Sequence, residues 1–245
     1  MRQLILLLVL LALGPGNESQ GADQPPQNII LMIADGCGFN HVDAASLYQH
    51  GKVGDQVYEK FPVQIAMSNA CADGQPYDPE ATWASFDHRM QFPTDSAAAI
   101  TAMGTGVRTR NLALGVDPGG APLTSVVHLM EERGKATGVV TSVEFSHATP
   151  AGLLVRHADR YDYRPIARAM VLESRSEVIM GAGHPYYDAA GDPSPEPLFD
   201  YVGGPDVWEA LLAGQAGSDA AAEIESCHPD RGYGVRKRRS ERESA

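Results

Sequence analysis

Continuous apolar runs alternate along the chain with segments of helical periodicity. Residues 28–34 are almost wholly hydrophobic, which is typical of a strand buried on both faces of a parallel sheet. Three further runs predict strands at residues 63–68, 138–143 and 177–180. Helical patterns predict helices at residues 42–50, 96–103, 123–133, 165–174 and 205–212. This order predicts a doubly wound α/β fold with a mostly parallel sheet flanked by helices.

Polar and glycine-rich segments follow several of the predicted strands. Asp35 follows the first strand, and residues 144–152 and 181–183 follow two later ones. In open α/β sheets, ligands bind beyond the carboxyl ends of the strands. The sequence therefore predicts that these three segments form the catalytic edge.

The amino terminus has the pattern of a secretory signal. Arg2 precedes an apolar run at residues 4–13, and a Gly-Pro-Gly breaker follows. The run is shorter than the roughly 20 residues that a membrane span needs. We therefore expect cleavage after Gly21 and export to the periplasm or the extracellular medium, with no membrane association afterwards.

Composition and charge narrow the class of protein. The 245 residues are 43% hydrophobic and 20% charged, which suits one globular α/β domain at residues 22–227. A net charge of −12 argues against nucleic acid and anionic membranes as partners. Cys37, Cys71 and Cys227 can form at most one bridge, and we expect Cys37 to pack beside the site that contains Asp35.

Ser96 is the strongest candidate nucleophile. It follows Thr94 and Asp95 and opens the Ala-rich run that predicts a helix. A hydroxyl there faces unpaired backbone N–H groups and the positive end of the helix dipole, which suits an oxygen that attacks and holds a phosphate. The alternative is that Ser96 or Asp95 only caps the helix.

Three other segments could supply residues of a phosphate site. Asp35 begins an Asp-Gly-Cys-Gly turn and could bind a cation, or it could serve the turn alone. Thr149 precedes a proline, which predicts an extended backbone with His147 on the same side. The threonine oxygen suits magnesium, and the imidazole suits zinc better. Arg160 could grip two phosphate oxygens, or it could be a solvated surface residue.

Taken in order, these motifs resemble the amino-terminal half of an alkaline phosphatase. The resemblance covers about residues 28–183 and implies that Ser96 attacks phosphorus and becomes a phosphoserine, which a metal-activated water hydrolyses. It implies two zinc ions and one magnesium, with Ser96 on zinc, Asp35 between zinc and magnesium, and Thr149 on magnesium. Arg160 would hold the phosphate oxygens, and Asp95 would orient Arg160.

The sequence departs from the family pattern in two ways. His147 stands where family members carry aspartate or histidine, which leaves the identity of the third metal open. No Asp-x-x-x-His ligand pair of the family's second half occurs in the sequence, and the Asp-His pair that it does contain, Asp87-His88, precedes Ser96 instead of following the central strands. Because catalytic zinc normally has three protein ligands, we expect weak metal binding.

The segment from His228 onward changes composition, since it carries six of the 19 basic residues and almost no core material. It predicts a disordered tail at residues 228–245, of the kind a truncated or frameshifted gene product would have.

Two functions follow from these motifs. The first is metal-dependent hydrolysis of small phosphate monoesters, with weak or no activity by this chain alone and inorganic phosphate as product. The second is a non-catalytic or vestigial phosphate-binding protein that keeps only the nucleophile half. A homodimer is compatible with the first. A serine hydrolase and a Walker-type nucleotide-binding protein are disfavoured, because Ser96 lacks a Gly-x-Ser-x-Gly setting and Lys135 lacks the Walker residues around it.

Overall fold

The computed structural model describes residues 26–91, 93–188 and 190–216, and the backbone of residues 222–228 and 232–237. The α-helices are α1 (Phe39–His50), α2 (Pro79–Ala84), α3 (Phe86–Gln91), α4 (Ser96–Thr105), α5 (Val126–Glu132), α6 (Ala148–Ala151), α7 (Tyr163–Arg168) and α8 (Pro205–Leu212). The strands are β1 (Gly138–Glu144), β2 (Val178–Ala182), β3 (Ala222–His228) and β4 (Gly232–Lys237). The predicted signal at residues 1–21 lies outside the described residues.

The described strands form one sheet in the order β1-β2-β4-β3. β1 and β2 run parallel, with Val139 opposite Ile179, and α6 and α7 form the crossover between them. β4 pairs antiparallel with both β2 and β3. The α/β class predicted from the sequence is confirmed, and the described part of the sheet is mixed.

Two predicted strands are wrong. Residues 28–34 and 63–68 have irregular backbone, and their apolar side chains are exposed, including Ile30 at 86% and Ile65 at 83%. An apolar run becomes a buried strand only where neighbouring strands and covering helices exist. Neither run pairs with a strand in the part of the chain that the structure describes.

The predicted helices are present with shifted ends. α8 spans the predicted residues, with Pro205 in its first turn, where a missing N–H costs nothing. α5 is shorter than predicted because Ser125 caps it. α7 begins two residues before Pro165 and continues as the π turn Ala169–Glu173. None of the described helices has the length and apolarity that a membrane crossing requires.

The predicted tail includes a strand. β4 lies at residues for which the sequence predicts disorder, and its backbone pairs with β2 from Arg236 opposite Val178 to Tyr233 opposite Gly181. The remaining residues from 238 lie outside the described part, and the domain division at residue 228 stays a prediction.

The core lies between the sheet and the helices that follow its strands. Its largest fully buried side chains are Ile100, Leu114, Ile166, Met170, Ile179 and Leu211. α4 packs closely on α6, because Gly152, at the end of α6, has no side chain to displace Ile100. This close approach fixes the start of α4 relative to the loop after β1.

Candidate active site

Ser96 occupies the first position of α4, and Asp95 is the residue that caps the helix. The Asp95 backbone is extended, with φ −83° and ψ 167°, and the Ala98 N–H donates to Asp95 Oδ1 at 2.9 Å. Asp95, and not Ser96, therefore caps the helix. The Ser96 hydroxyl is instead hydrogen-bonded to the carboxylate of Asp35.

Asp35 is brought to Ser96 by the turn that follows residues 28–34. The Cys37 N–H donates to the Ala34 carbonyl at 3.1 Å, and Gly36 takes a left-handed φ of +75° that favours glycine. On its other side, the Thr149 hydroxyl donates to Asp35 Oδ2 at 2.8 Å. The first and second predicted segments of the catalytic edge therefore meet, although 114 positions separate the two residues.

The pKa of Asp35 is lowered from its ordinary value. The largest cause is the hydrogen bond from Ser96. The Thr149 hydrogen bond, the positive charge of Arg160 and, at acid pH where its imidazole is protonated, the charge of His147 act in the same direction, while partial burial opposes them. Asp35 is therefore ionised at neutral pH and presents a charged acceptor to the Ser96 hydroxyl.

Arg160 is buried, with 7% of its surface exposed. Its Nη1 lies 3.4 Å from Asp95 Oδ2, and its Nη2 lies 3.4 and 3.5 Å from the two ring nitrogens of His147. Among the described residues, its buried Nε has no hydrogen-bond partner. Arg160 is therefore not the solvated surface residue that the alternative prediction described. The unpaired Nε–H belongs to a buried, positively charged guanidinium, which favours an anion as its missing partner.

Leu112 links Asp95 to Arg160 through its backbone. Its N–H donates to Asp95 Oδ2 at 3.0 Å, and its carbonyl accepts from the Arg160 N–H at 2.9 Å. It does so with a φ of +72°, the one positive φ recorded for a non-glycine residue in the described part. Asn111 adds a second link by accepting from the Asp95 N–H at 2.9 Å and donating to the Pro93 carbonyl at 2.8 Å. Sequence reasoning missed both residues, because no local motif marks them.

Thr149 does not have the predicted extended geometry. It lies in α6, whereas His147, the residue before that helix, is extended, with φ −64° and ψ 161°. Proline can occupy the first turn of a helix without losing a hydrogen bond, so Pro150 does not force Thr149 out of it. The pKa of His147 is lowered, first by burial and then by the charge of Arg160, while Glu144 and Asp35 oppose the shift. The imidazole is therefore neutral at pH 7 and able to accept a proton or bind a cation.

The structure describes the side chains of two of the three cysteines. Cys37 is exposed, which corrects the expectation that it packs there, and Cys71 is buried; both are free thiols. Burial raises the pKa of Cys71 and disfavours its thiolate. The side chain of Cys227 lies outside the described residues.

The donor set fits part of a metal site. The Asp35 carboxylate and the Thr149 hydroxyl lie within 2.8 Å of each other and offer the oxygen ligands that magnesium prefers. Within the described ranges, no three His, Cys, Asp or Glu side chains converge. Asp35 and Ser96 are thus fewer ligands than a catalytic zinc normally takes from a protein.

These contacts define a class of protein in which a serine at a helix start faces a carboxylate and a buried arginine at the edge of an α/β sheet. The family model described as alkaline phosphatase matches residues 26–198. The chain therefore belongs to the alkaline phosphatase family.

Individual relatives agree with this assignment. The chain is 38% identical over 182 residues to the alkaline phosphatase of Escherichia fergusonii, covering 66% of this chain and 36% of that protein. It is 33% identical over 159 residues to streptomycin-6-phosphate phosphatase of Streptomyces griseus, covering 64% and 32%. A solved cold-active alkaline phosphatase from Shewanella has 32% identity and a TM-score of 0.51, covering 64% of this chain and 36% of that one. The chain spans about a third of the length of the relatives it matches.

Proposed function

We propose that this chain carries the nucleophile site of a phosphate monoesterase and that Ser96 accepts the phosphoryl group. The observation that carries the proposal is the convergence of the Ser96 hydroxyl and the Thr149 hydroxyl on Asp35, beside the buried guanidinium of Arg160. Family membership supports phosphate monoesters as the substrate class.

The proposed reaction has two steps. In the first, Ser96 Oγ loses its proton and forms a bond to phosphorus, the bond from phosphorus to the ester oxygen breaks, and the departing alkoxide takes up a proton and leaves as the alcohol. In the second, water hydrolyses the phosphoserine to inorganic phosphate and restores the serine. In both steps, Arg160 holds two non-bridging oxygens, since its planar fork matches their spacing and neutralises charge where the transition state carries it.

Asp95 and Asp35 have different tasks in this proposal. Asp95 fixes the start of α4 and faces one end of the Arg160 fork, so it sets the distance between the serine and the phosphate clamp. Asp35 is ionised and accepts the Ser96 hydrogen bond, which orients the hydroxyl. It is a weak base, because its pKa lies below the ordinary value.

Metal ions would be held by Asp35, Thr149 and Ser96, with His147 beside the third ion. When bound, zinc and magnesium supply positive charge that favours the ionised serine oxygen and the phosphoryl transition state. Asp35 and Ser96 alone bind zinc weakly. We therefore propose that the chain by itself retains little zinc and turns over slowly, and that the signal pattern at residues 1–21 directs its export.

The second candidate is a phosphate-binding protein without turnover. It is favoured by the lack of three converging His, Cys, Asp or Glu side chains in the described part of the chain. Arg160 and the start of α4 would suffice to hold phosphate without a metal-assisted reaction.

Zinc content and hydrolysis separate the two candidates. The chain is dialysed, its zinc is counted, and hydrolysis of an aryl phosphate is measured at alkaline pH with zinc and magnesium added in excess. We expect less than one zinc per chain after dialysis, and a slow hydrolysis that Ser96→Ala abolishes. Ser142→Ala, a change at an exposed serine on β1, is the matched control and keeps the rate.

Two results would contradict the proposal. A rate that is the same in the parent chain and in Ser96→Ala favours the phosphate-binding candidate. Stoichiometric zinc with rapid turnover that needs Ser96 shows instead that other side chains complete the metal site.

A further inference from the structure

Two tyrosines lie near Arg160, and one of them contacts its guanidinium. The Cζ atom of Arg160 lies 5.7 Å from the centre of the Tyr161 ring, within the distance at which a cation and an aromatic face attract. The Tyr161 and Tyr163 rings meet edge to face at 6.4 Å. We call Tyr161 and Tyr163 the tyrosine pair.

The inner ring of the tyrosine pair is held in place by its neighbours. Tyr163 is stacked against His147 at 6.2 Å and meets Tyr201 edge to face at 4.8 Å. Since His147 also contacts Arg160, Tyr163 has a fixed position relative to the phosphate clamp. Its ring is half-buried and can present one edge to a bound molecule.

The outer ring is exposed next to a buried cation. Tyr161 has 61% of its surface exposed, whereas Arg160 has 7%. The backbone beneath the ring is fixed, because the Tyr161 N–H donates to Asp159 Oδ1 at 2.9 Å and the Tyr163 N–H donates to the Tyr161 carbonyl at 2.9 Å. An exposed aromatic side chain on a fixed turn loses little conformational freedom when it contacts a ligand.

We propose that the tyrosine pair binds the organic group of an aromatic phosphate ester whose phosphate is held by Arg160. The inference rests on the proposed function, and it names the substrate class. The ester group projects from the phosphate toward the surface beside Arg160, where Tyr161 and Tyr163 offer an edge-to-face or offset-stacked contact to a second ring. A small alkyl group at the same position gains little from either ring.

The preference is measurable by binding, without turnover. The full chain, with zinc and magnesium in the buffer, is titrated calorimetrically with inorganic phosphate, methylphosphonate and phenylphosphonate. Each phosphonate affinity is divided by the same variant's affinity for inorganic phosphate. We expect phenylphosphonate to bind about two- to tenfold more tightly than methylphosphonate, the range typical of an aromatic pair.

Three variants test whether the Tyr161 ring causes the preference for phenylphosphonate. Tyr161→Ala is expected to bring the ratio of the two phosphonate affinities close to one, and Tyr161→Phe to keep it. Tyr48→Ala, a change at a tyrosine that is 95% exposed on α1, is the matched control and keeps the ratio.

The results that overturn the inference differ from those that overturn the proposed function. If inorganic phosphate binds but the phosphonate ratio is one in the parent chain, or is unchanged in Tyr161→Ala, the inference is wrong and the phosphate site stands. If inorganic phosphate does not bind, or binds equally well after Arg160→Ala, the proposed function fails and the inference fails with it.

Discussion

Asp95 joins the helix start to the phosphate clamp through one carboxylate. Its Oδ1 accepts from the Ala98 N–H, and its Oδ2 accepts from the Leu112 N–H and faces Arg160. A single residue therefore fixes the first turn of α4, the Leu112 backbone and the Arg160 side chain. Ser96 is positioned by its neighbour, which leaves its own hydroxyl to Asp35.

Two substitutions of Asp95 separate its capping role from its charge. Asp95→Asn keeps a side-chain acceptor for the Ala98 N–H and removes the charge that faces Arg160. Asp95→Ala removes both. Because asparagine caps about as well as aspartate, we expect Asp95→Ala to be less stable than Asp95→Asn by about 1 kcal/mol in urea unfolding.

Both variants should bind inorganic phosphate more weakly than the parent chain, since each loses the carboxylate charge that orients Arg160. Equal stability of the two variants would show that the cap at Asp95 does not hold α4.

At the scale of helices and strands, the contact between α4 and α6 sets the geometry of the site. α4 carries Ser96 and α6 carries Thr149, so their separation determines whether both hydroxyls reach Asp35. The absence of a side chain at Gly152 allows this approach, because an added Cβ would overlap Ile100 Cγ2 and would lie 3.2 Å from the Ala148 carbonyl oxygen.

Two glycine substitutions at this contact should differ in cost. At Gly152 the obstructing atoms belong to the fully buried Ile100 and to backbone, so Gly152→Ala is expected to lower the free energy of unfolding by about 1–3 kcal/mol. At Gly104 an added Cβ meets the end of the Leu153 side chain, which can rotate away. Alanine also favours a helix interior by about 1 kcal/mol over glycine, so Gly104→Ala should cost less. Urea unfolding of both variants checks the order, and the reverse order would contradict this packing argument.

Local signals predicted some elements well and others poorly. The α8 helix follows from a proline at its start and an amphipathic pattern that needs no knowledge of the rest of the chain. The run at residues 28–34 carries an equally strong apolar signal, yet its side chains are exposed, because burial depends on neighbours that a local pattern does not contain. The general rule about the carboxyl ends of strands predicted that Asp35 and Thr149 meet, although residues 28–34, which precede Asp35, form no strand. The Leu112 and Asn111 links follow no such rule.

At the scale of the whole molecule, the chain is acidic, while the candidate site in its described part contains the buried guanidinium of Arg160. The net charge of −12 opposes the approach of phosphate at long range, so binding depends on close contacts with Arg160 and with the cations that Asp35 attracts. Residues 28–34 lead directly into Asp35 and expose apolar side chains. The position of the carboxylate therefore depends on its hydrogen bonds with Ser96 and Thr149 more than on packing of the segment before it.

The location of a trapped phosphoryl group tests the central claim most directly. The chain is incubated with an aryl phosphate in the presence of zinc and magnesium, quenched in acid and digested, and the phosphorylated peptide is identified by mass spectrometry. We predict one phosphoserine at Ser96, present in Ser142→Ala and absent from Ser96→Ala. A phosphoryl group on another residue, or no phosphoserine while the ester is hydrolysed, would contradict the assignment of Ser96 as the nucleophile.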